Sequence, residues 1–206
     1  MTEPDLLQKS QPILRAVKVI GFGGFGCKAI SNLVKEELKA VELIAADTDS
    51  QSLSTCQAPE KIQLGQKCCG GLGAGRQSDK GWAACEESLD EIFEHLNEAI
   101  AVVFVVALGG GTGYGAIKCV FEHLDKIKGS PEITLVVVLP FGHERGRVTL
   151  AESLLPFLSG RSKNMVVVSN ALIAKTYPTD NLREIKDRAD KIVLSAVKSI
   201  IDECHR

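Results

Sequence analysis

The 206-residue chain is 45% hydrophobic and 24% charged, an ordinary globular composition with enough length for one sizeable core. Its formal net charge of −2, from 24 basic and 26 acidic residues, offers no basic surplus for nucleic acid or an anionic membrane. A phosphate site here has to rest on backbone amides more than on side-chain charge.

The longest apolar run, residues 99–108, is far short of the roughly 20 residues of a membrane helix. Residues 1–11 are polar and lack a signal-peptide core. The expected location is cytoplasmic, without membrane insertion. The seven cysteines, at 27, 56, 68, 69, 85, 119 and 204, are scattered and contain no Cys-x-x-Cys pair. The four histidines do not sit at metal-ligand spacing. Reduced thiols and no side-chain metal site are expected, with a redox role left open for the adjacent Cys68 and Cys69.

Residues 1–15 read as a flexible lead, and residues 16–206 as one nucleotide-binding domain. A short strand at 16–20 runs into Gly21-Phe22-Gly23-Gly24-Phe25-Gly26. A helix follows with Ile30, Leu33, Val34, Leu38 and Val41 on one face, then a strand at 42–46 ending in Asp47-Thr48-Asp49. This unit satisfies Gly-x-Gly-x-x-Gly with an acid about twenty residues on, as a Rossmann dinucleotide site does. No Gly-Lys-Ser/Thr occurs, which excludes a Walker phosphate loop. Residues 50–78 read as irregular and hold a second glycine-rich loop, Gly70-Gly71-Leu72-Gly73-Ala74-Gly75-Arg76, that a Rossmann site does not need. A helix is expected over about 79–99, with Leu89, Ile92, Phe93, Leu96 and Ile100 inward.

The β-branched run at 99–108 reads as a buried parallel strand. It leads into Gly109-Gly110-Gly111-Thr112-Gly113-Tyr114-Gly115, after which Ile117, Val120, Phe121, Leu124 and Ile127 recur at helical spacing. Five of those seven turn residues lack a Cβ, so backbone can approach a ligand closely. The helix that follows adds its positive dipole end, and the combination suits phosphate. A strand at 133–139 then ends in Pro140-Phe141-Gly142-His143-Glu144-Arg145-Gly146-Arg147. A helix at 148–158 and a strand at 165–169 follow, with Asn170 at the strand's C-terminal end. Asn181 and Glu184 have the spacing of an N-cap pair. Leu182, Ile185, Ala189, Ile192, Val193, Ala196, Val197, Ile200 and Ile201 mark a long helix, apolar over a wide arc and expected to be deeply packed.

Strands and helices alternate, which predicts an α/β fold: a mostly parallel sheet with helices on both faces. Ligands in such folds sit beyond the C-terminal strand ends, where every glycine loop named above lies.

Gly-Gly-Gly-Thr-Gly-Xaa-Gly at 109–115 resembles the signature of the tubulin/FtsZ family of GTP-binding cytoskeletal proteins, and the likeness runs from about Val17 to the final helix. The resemblance implies a Rossmann-like GTP-binding domain ending in a long central helix. It implies GTP or GDP as ligand, with Mg²⁺ held through the phosphates. Gly21, Gly23, Gly24, Phe25, Gly26 and Lys28 match the first phosphate loop, and Asp47 and Thr48 the second. Within 50–78 the resemblance implies a short edge strand and the third loop, which senses the terminal phosphate and which Gly73, Ala74 and Gly75 match. Gly109, Gly110, Gly111, Thr112, Gly113 and Tyr114 match the fourth. Pro140, Glu144 and the nearby Arg147 resemble the ribose loop. Asn170 matches a residue that contacts guanine and ribose, and Asp190 the acid that reads guanine. A carboxylate suits guanine because N1–H and the 2-amino group are adjacent donors.

The chain departs from the family pattern at three of these positions. Lys28 stands where the family has Asn and is a candidate phosphate partner. Asp47 stands where the family keeps an amide, and its charge would repel a terminal phosphate unless Lys28, Arg76 or Mg²⁺ offsets it. Tyr114 replaces a Ser or Thr and is expected to face solvent. The family also continues beyond the long helix into an acidic loop and a second domain, and those acids complete the GTPase site of the next subunit. No such segment occurs in these 206 residues. The expectation is therefore no catalytic residue in this chain, and weak or absent hydrolysis and no self-assembly by the chain alone. A guanine nucleotide is the expected partner, together with another FtsZ-like protein or a further domain of its own. The implied role is in a cell-division or cytoskeletal system. The alternatives are a non-polymerising guanine-nucleotide sensor and an NAD-binding Rossmann oxidoreductase, which would lack a catalytic set and leave two glycine loops unexplained.

Overall fold

The computed structural model describes residues 16–97, 99–124 and 131–205. The expected flexible lead at 1–15, and Ile127 of the predicted helical stripe, lie outside the described residues. The order is β1 (Ala16–Phe22), α1 (Gly23–Val34), β2 (Val41–Asp47), α2 (Ser50–Thr55), β3 (Glu60–Gln63), α3 (Gln66–Cys69), α4 (Ser78–Glu87), α5 (Leu89–Asn97), β4 (Ala99–Ala107), α6 (Gly111–His123), β5 (Glu132–Leu139), α7 (Arg145–Ser159), β6 (Asn164–Ser169), α8 (Asn170–Thr176) and α9 (Leu182–Cys204).

The six strands run β3-β2-β1-β4-β5-β6, and each pairing is parallel. The chain winds outward from β1 to β3, then returns to the other side of β1 and winds outward again. The β1/β4 junction is therefore a topological switch point, where such sheets bind ligands. Residues of β4 alternate between two cores: Val102, Phe104 and Val106 enter one, Val103 and Val105 the other. The first core is closed by α4, α5, α6 and α7 and carries a run of aromatic contacts, Phe22–Phe104 at 5.6 Å and Phe104–Phe121 at 6.1 Å. The second is closed by α1, α2, α8 and α9. Burial on both faces explains why the central strands are continuous apolar runs.

Several expectations need correction. Residues 50–78 are less irregular than their composition suggests: Asp49 caps α2 by accepting the Gln51 and Ser52 amides, β3 is the short edge strand that the family resemblance implies, and Glu87 accepts the Lys67 and Cys68 amides that open α3. The single helix expected over 79–99 breaks at Ser88 into α4 and α5, and the Ser88 hydroxyl accepts the Gly65 amide. Ile100 belongs to β4 and is 51% exposed, because strand alternation rather than helical spacing decides its direction. The first helix stops at Val34, so Leu38 lies beyond it and Val41 opens β2. The long helix α9 has its expected capping box at Asn181 and Glu184, but it is not buried over a wide arc. Ile185, Ala189, Val193, Val197 and Ile201 are buried at a spacing of four, while Leu182 and Ile192 are 49% and 43% exposed. One stripe is enough for a helix lying on one sheet face.

Candidate nucleotide site

The C-terminal ends of β1, β4 and β5, with α8 and the first turns of α9, enclose a cleft of about 520 Å³. That is the scale of a small-molecule site. One end is made of backbone. Helices α1 and α6 both begin at the cleft, after Phe22 and Gly110, and neither N-cap residue supplies a side-chain cap. Their first-turn N–H groups are left for a ligand, and both dipoles favour an anion there. The two starts also touch: a methyl on Gly23, whose φ is +70°, would lie 3.2 Å from the Gly113 amide nitrogen.

The glycines divide into two groups. Gly110 faces open space, and the nearest atom to a methyl on Gly24 would be 3.8 Å away. Backbone at these two positions is open to a ligand. Gly21 and Gly26 instead face each other, with a methyl on Gly26 only 2.3 Å from the Gly21 carbonyl carbon. They let β1 and α1 cross closely. Gly111 and Gly115 do the same for α6: a methyl on Gly111 would meet the Arg76–Gln77 backbone at 2.8–2.9 Å, and one on Gly115 would meet Trp82 N at 2.2 Å. The expectation that the whole 109–115 turn is glycine-rich for ligand approach is corrected: part of it is glycine-rich for packing.

The second and third loops lie behind this end rather than on the cleft wall. Thr48 is fully buried, and its Oγ1 hydrogen-bonds Thr112 Oγ1 at 2.6 Å, tying β2 to the start of α6. Asp47 is buried, and its Oδ1 accepts the Thr48 amide at 2.7 Å. Burial pushes the Asp47 carboxyl above the usual aspartate range, and bonds from Ser52 and the Asp49 and Thr48 amides act the other way. Burial and the neighbouring Asp47 push the Cys27 thiol up to about 12. Gly73 donates its amide to the Thr48 carbonyl, and Ser50 donates to that of Gly71, so the loop carrying Gly73, Ala74 and Gly75 is pinned to the second loop. Tyr114 does not face solvent as expected: its ring packs against the core and its hydroxyl lies 3.1 Å from Ser153 Oγ on α7.

The middle of the cleft is formed by the turn after β5. Glu144 closes it, accepting the Phe141 amide at 3.0 Å and Arg147 Nη1 at 2.6 Å. Pro140, Glu144 and Arg147 all line the cleft, as does His143, stacked on Phe141 at 5.5 Å. The rest of the wall carries side chains from distant segments. Asn170 Oδ1 is buried without a hydrogen-bond partner, an acceptor that a ligand hydroxyl or amine would satisfy. Lys28 of α1 and Asp190 of α9 meet here, Nζ to Oδ2, at 2.5 Å. Lys28, a candidate phosphate partner on the sequence, pairs here with Asp190.

A family model described as "Tubulin/FtsZ family, GTPase domain" matches residues 16–178. The chain belongs to the Tubulin/FtsZ family. It is 37% identical over 185 residues to the cell division protein FtsZ of Neisseria gonorrhoeae, covering 89% of this chain and 47% of that protein. It is 36% identical over 203 residues to cell division protein FtsZ 1 of Archaeoglobus fulgidus, covering 97% and 54%. The solved structure of an empty FtsZ dimer from M. jannaschii superposes with a TM-score of 0.84 at 32% identity, covering 95% of this chain and 56% of that one. The chain spans about half the length of the curated relatives it matches.

Of the candidate residues read from the sequence, the structure brings Gly23, Gly24, Phe25, Lys28, Gly109, Gly110, Gly111, Thr112, Gly113, Pro140, Glu144, Arg147, Asn170 and Asp190 onto one cleft wall. Gly21, Gly26, Asp47, Thr48, Gly73, Ala74, Gly75 and Tyr114 stand behind or beside it. Sequence reasoning missed His143, Leu182 and Lys186 on the wall. Lys186 had a usable signal, being one helical turn before Asp190 on the same helix.

Proposed function

We propose that the cleft binds a guanine nucleotide, GTP or GDP, and that the chain acts in a cell-division or cytoskeletal system, the first being what its FtsZ relatives are named for. The carrying observation is that two helix N-termini without side-chain caps meet at the switch point of the sheet, with a buried orphan acceptor and a carboxylate on the wall of the same cleft. The α1 and α6 amides would hold the phosphates, and the Pro140–Glu144–Arg147 turn the ribose. Asn170 and Asp190 would accept from ribose and base.

Mg²⁺ fits this reading, because the cleft's Lys28 and Arg147 are each paired with a carboxylate of their own. Phosphate charge would be neutralised by amides and by an ion carried on the nucleotide. The pinning of the third loop to the second, through Gly73 N–H to the Thr48 carbonyl, favours this reading over a dinucleotide site, which has no use for that loop.

Hydrolysis needs a group that positions water beside the phosphates. The internal acids nearest the phosphate end, Asp47 and Asp49, already accept backbone amides. The 206-residue chain alone is therefore expected to hydrolyse GTP slowly, with acids supplied in trans by another Tubulin/FtsZ protein or by a further domain. Purified protein should release GDP or GTP on denaturation, identified by anion-exchange chromatography. Adenine or nicotinamide nucleotide in that extract would overturn the reading.

A further inference from the structure

The adjacent cysteines of α3, Cys68 and Cys69, lie away from the cleft wall. Neighbouring residues of a helix do not face each other, so two adjacent thiols meet only where their surroundings turn them together. Here they do meet, Sγ to Sγ at 3.8 Å. Three features hold them so. Helix α3 is only four residues long and lies between Gly65 and Gly70, both with positive φ. Gly65 lacks the Cβ that would stand 2.6 Å from Cys68 Sγ, which leaves the Cys68 thiol room to fold back. Glu87 accepts the Lys67 and Cys68 amides at 2.8 and 3.1 Å and fixes the turn. Cys68 is exposed, while Cys69 is buried in the core. The pair therefore offers one thiol at the surface and a second in contact with it.

The spacing decides what the pair can take. A disulfide needs its sulfurs ~2.05 Å apart and its Cα atoms about 4.4 Å apart or more, while the peptide between neighbours holds their Cα atoms at ~3.8 Å. Sulfurs sharing one bridging atom, at a bond length near the ~2.3 Å of metal–thiolate bonds, stand roughly 3.3–3.8 Å apart as the angle opens from a right angle to the tetrahedral one. The observed 3.8 Å suits a one-atom bridge and not a disulfide. Desolvation of its sulfur, the Cys69 thiol and the Glu87 carboxylate push the Cys68 thiol up to about 11, so Cys68 keeps its proton at neutral pH. Among the described residues, no three His, Cys, Asp or Glu side chains are grouped to hold a metal ion. An occupant of this pair then has to bring its remaining ligand with it and carry the displaced protons away.

We propose that Cys68 and Cys69 form a dithiol site for a thiophilic trivalent centre, of the class of a monosubstituted arsenical. Both thiol S–H bonds and two As–OH bonds break, two As–S bonds form, and the protons leave with the hydroxides as two waters. Arsenic stays trivalent, so no oxidant or reductant enters. The product is neutral and adds no charge beside Glu87. The site stands at the root of the third loop, since Cys69 leads through Gly70 to Gly71, whose carbonyl accepts the Ser50 amide. The inference does not depend on the guanine reading of the cleft.

The test is titration of the full, phosphine-reduced chain with phenylarsine oxide, read by intact mass, for wild type, Cys68→Ser and Cys69→Ser. Wild type should take up one phenylarsenic group in place of two thiol protons, keep it in excess monothiol and release it to a small dithiol. Proteolysis of that adduct should leave the arsenic on the peptide carrying residues 68 and 69. Each serine variant should bind at least about 100-fold more weakly, because a second thiol on one centre acts at high effective concentration. Undiminished binding by Cys68→Ser would place the arsenic on another pair, such as Cys27 with Cys56, and overturn the inference. So would an adduct that monothiol strips from wild type as readily as from the variants, which would mean attachment through one sulfur. Cys68 is exposed, so Cys68→Ser should melt like wild type. That variant alone suffices should Cys69→Ser, changed inside the core, fail to fold.

Discussion

The two ends of the cleft are built from different materials. The end proposed to hold phosphate is backbone: two helix starts and open positions at Gly24 and Gly110, stiffened from behind by Thr48–Thr112 and by the packed glycines of α1 and α6. The base end is side chains, with Lys28, Asn170 and Asp190 drawn from α1, α8 and α9. Backbone amides recognise charge without regard to the rest of a ligand, whereas a donor and an acceptor in fixed order recognise one purine edge. Affinity and selectivity are thus assigned to separate regions, and substitutions should separate them.

The largest effect should come from α6. Gly115→Val would drive a branched side chain into Trp82 N and the Ser78 carbonyl, where backbone cannot yield. We expect a loss of about 3 kcal/mol or more, the upper range for overpacking, or failure to fold, read by thermal unfolding. Gly110→Ala, five positions before the close contact and facing open space, should melt within about 0.5 kcal/mol of wild type and yet bind nucleotide more weakly. If both variants behave alike, the division of the glycines is wrong.

Next in size is Asp190→Ala. It should weaken GTP and GDP by about 1–3 kcal/mol in titration calorimetry, with a much smaller effect on ATP. Uniform losses would move Asp190 out of the base end. Asn170→Ala should sharpen the same contrast from the other side. Deleting an unpartnered buried acceptor should leave the nucleotide-free protein as stable as wild type or more so, by up to about 1 kcal/mol, while nucleotide affinity falls.

The smallest effect concerns the support behind the phosphate end. Burial raises the Asp47 carboxyl above its ordinary 3.8. The folded protein therefore holds that proton at pH values where the unfolded chain has lost it. The contribution of Asp47 to stability is greatest below 3.8 and declines as pH rises through the raised folded value. Denaturant melts across that window should show this decline in wild type and lack it in Asp47→Asn. A difference with the opposite slope would mean that the amide bonds outweigh burial.

The backbone end was largely legible in the sequence and the side-chain end was not. Glycine spacing after apolar, β-branched runs is a local pattern, and it located β1, β4 and both helix starts. The same glycines could not be sorted from sequence into open and packed, because Gly110 and Gly111 differ only in what the Arg76–Gln77 backbone brings against them. No spacing rule links Lys28 to Asp190 or Tyr114 to Ser153; folding brings those pairs together. Residues 50–78 read as irregular from composition for a similar reason, since α2, β3 and α3 are short and depend on Asp49, on β2 and on Glu87. The resemblance at Asn170 and Asp190 is what pointed to the base end. Composition and periodicity alone would have left both residues on unremarked helix turns.

The account is tested most directly by equilibrium binding of GDP, ADP and NAD to the nucleotide-free chain under one buffer condition. It predicts single-site binding of GDP, ADP weaker by at least about tenfold because adenine lacks the two adjacent donors that Asp190 would accept, and no measurable binding of NAD. Equal affinity for GDP and ADP would contradict the assignment of selectivity to the side-chain end. Preference for NAD would contradict the guanine-nucleotide reading as a whole.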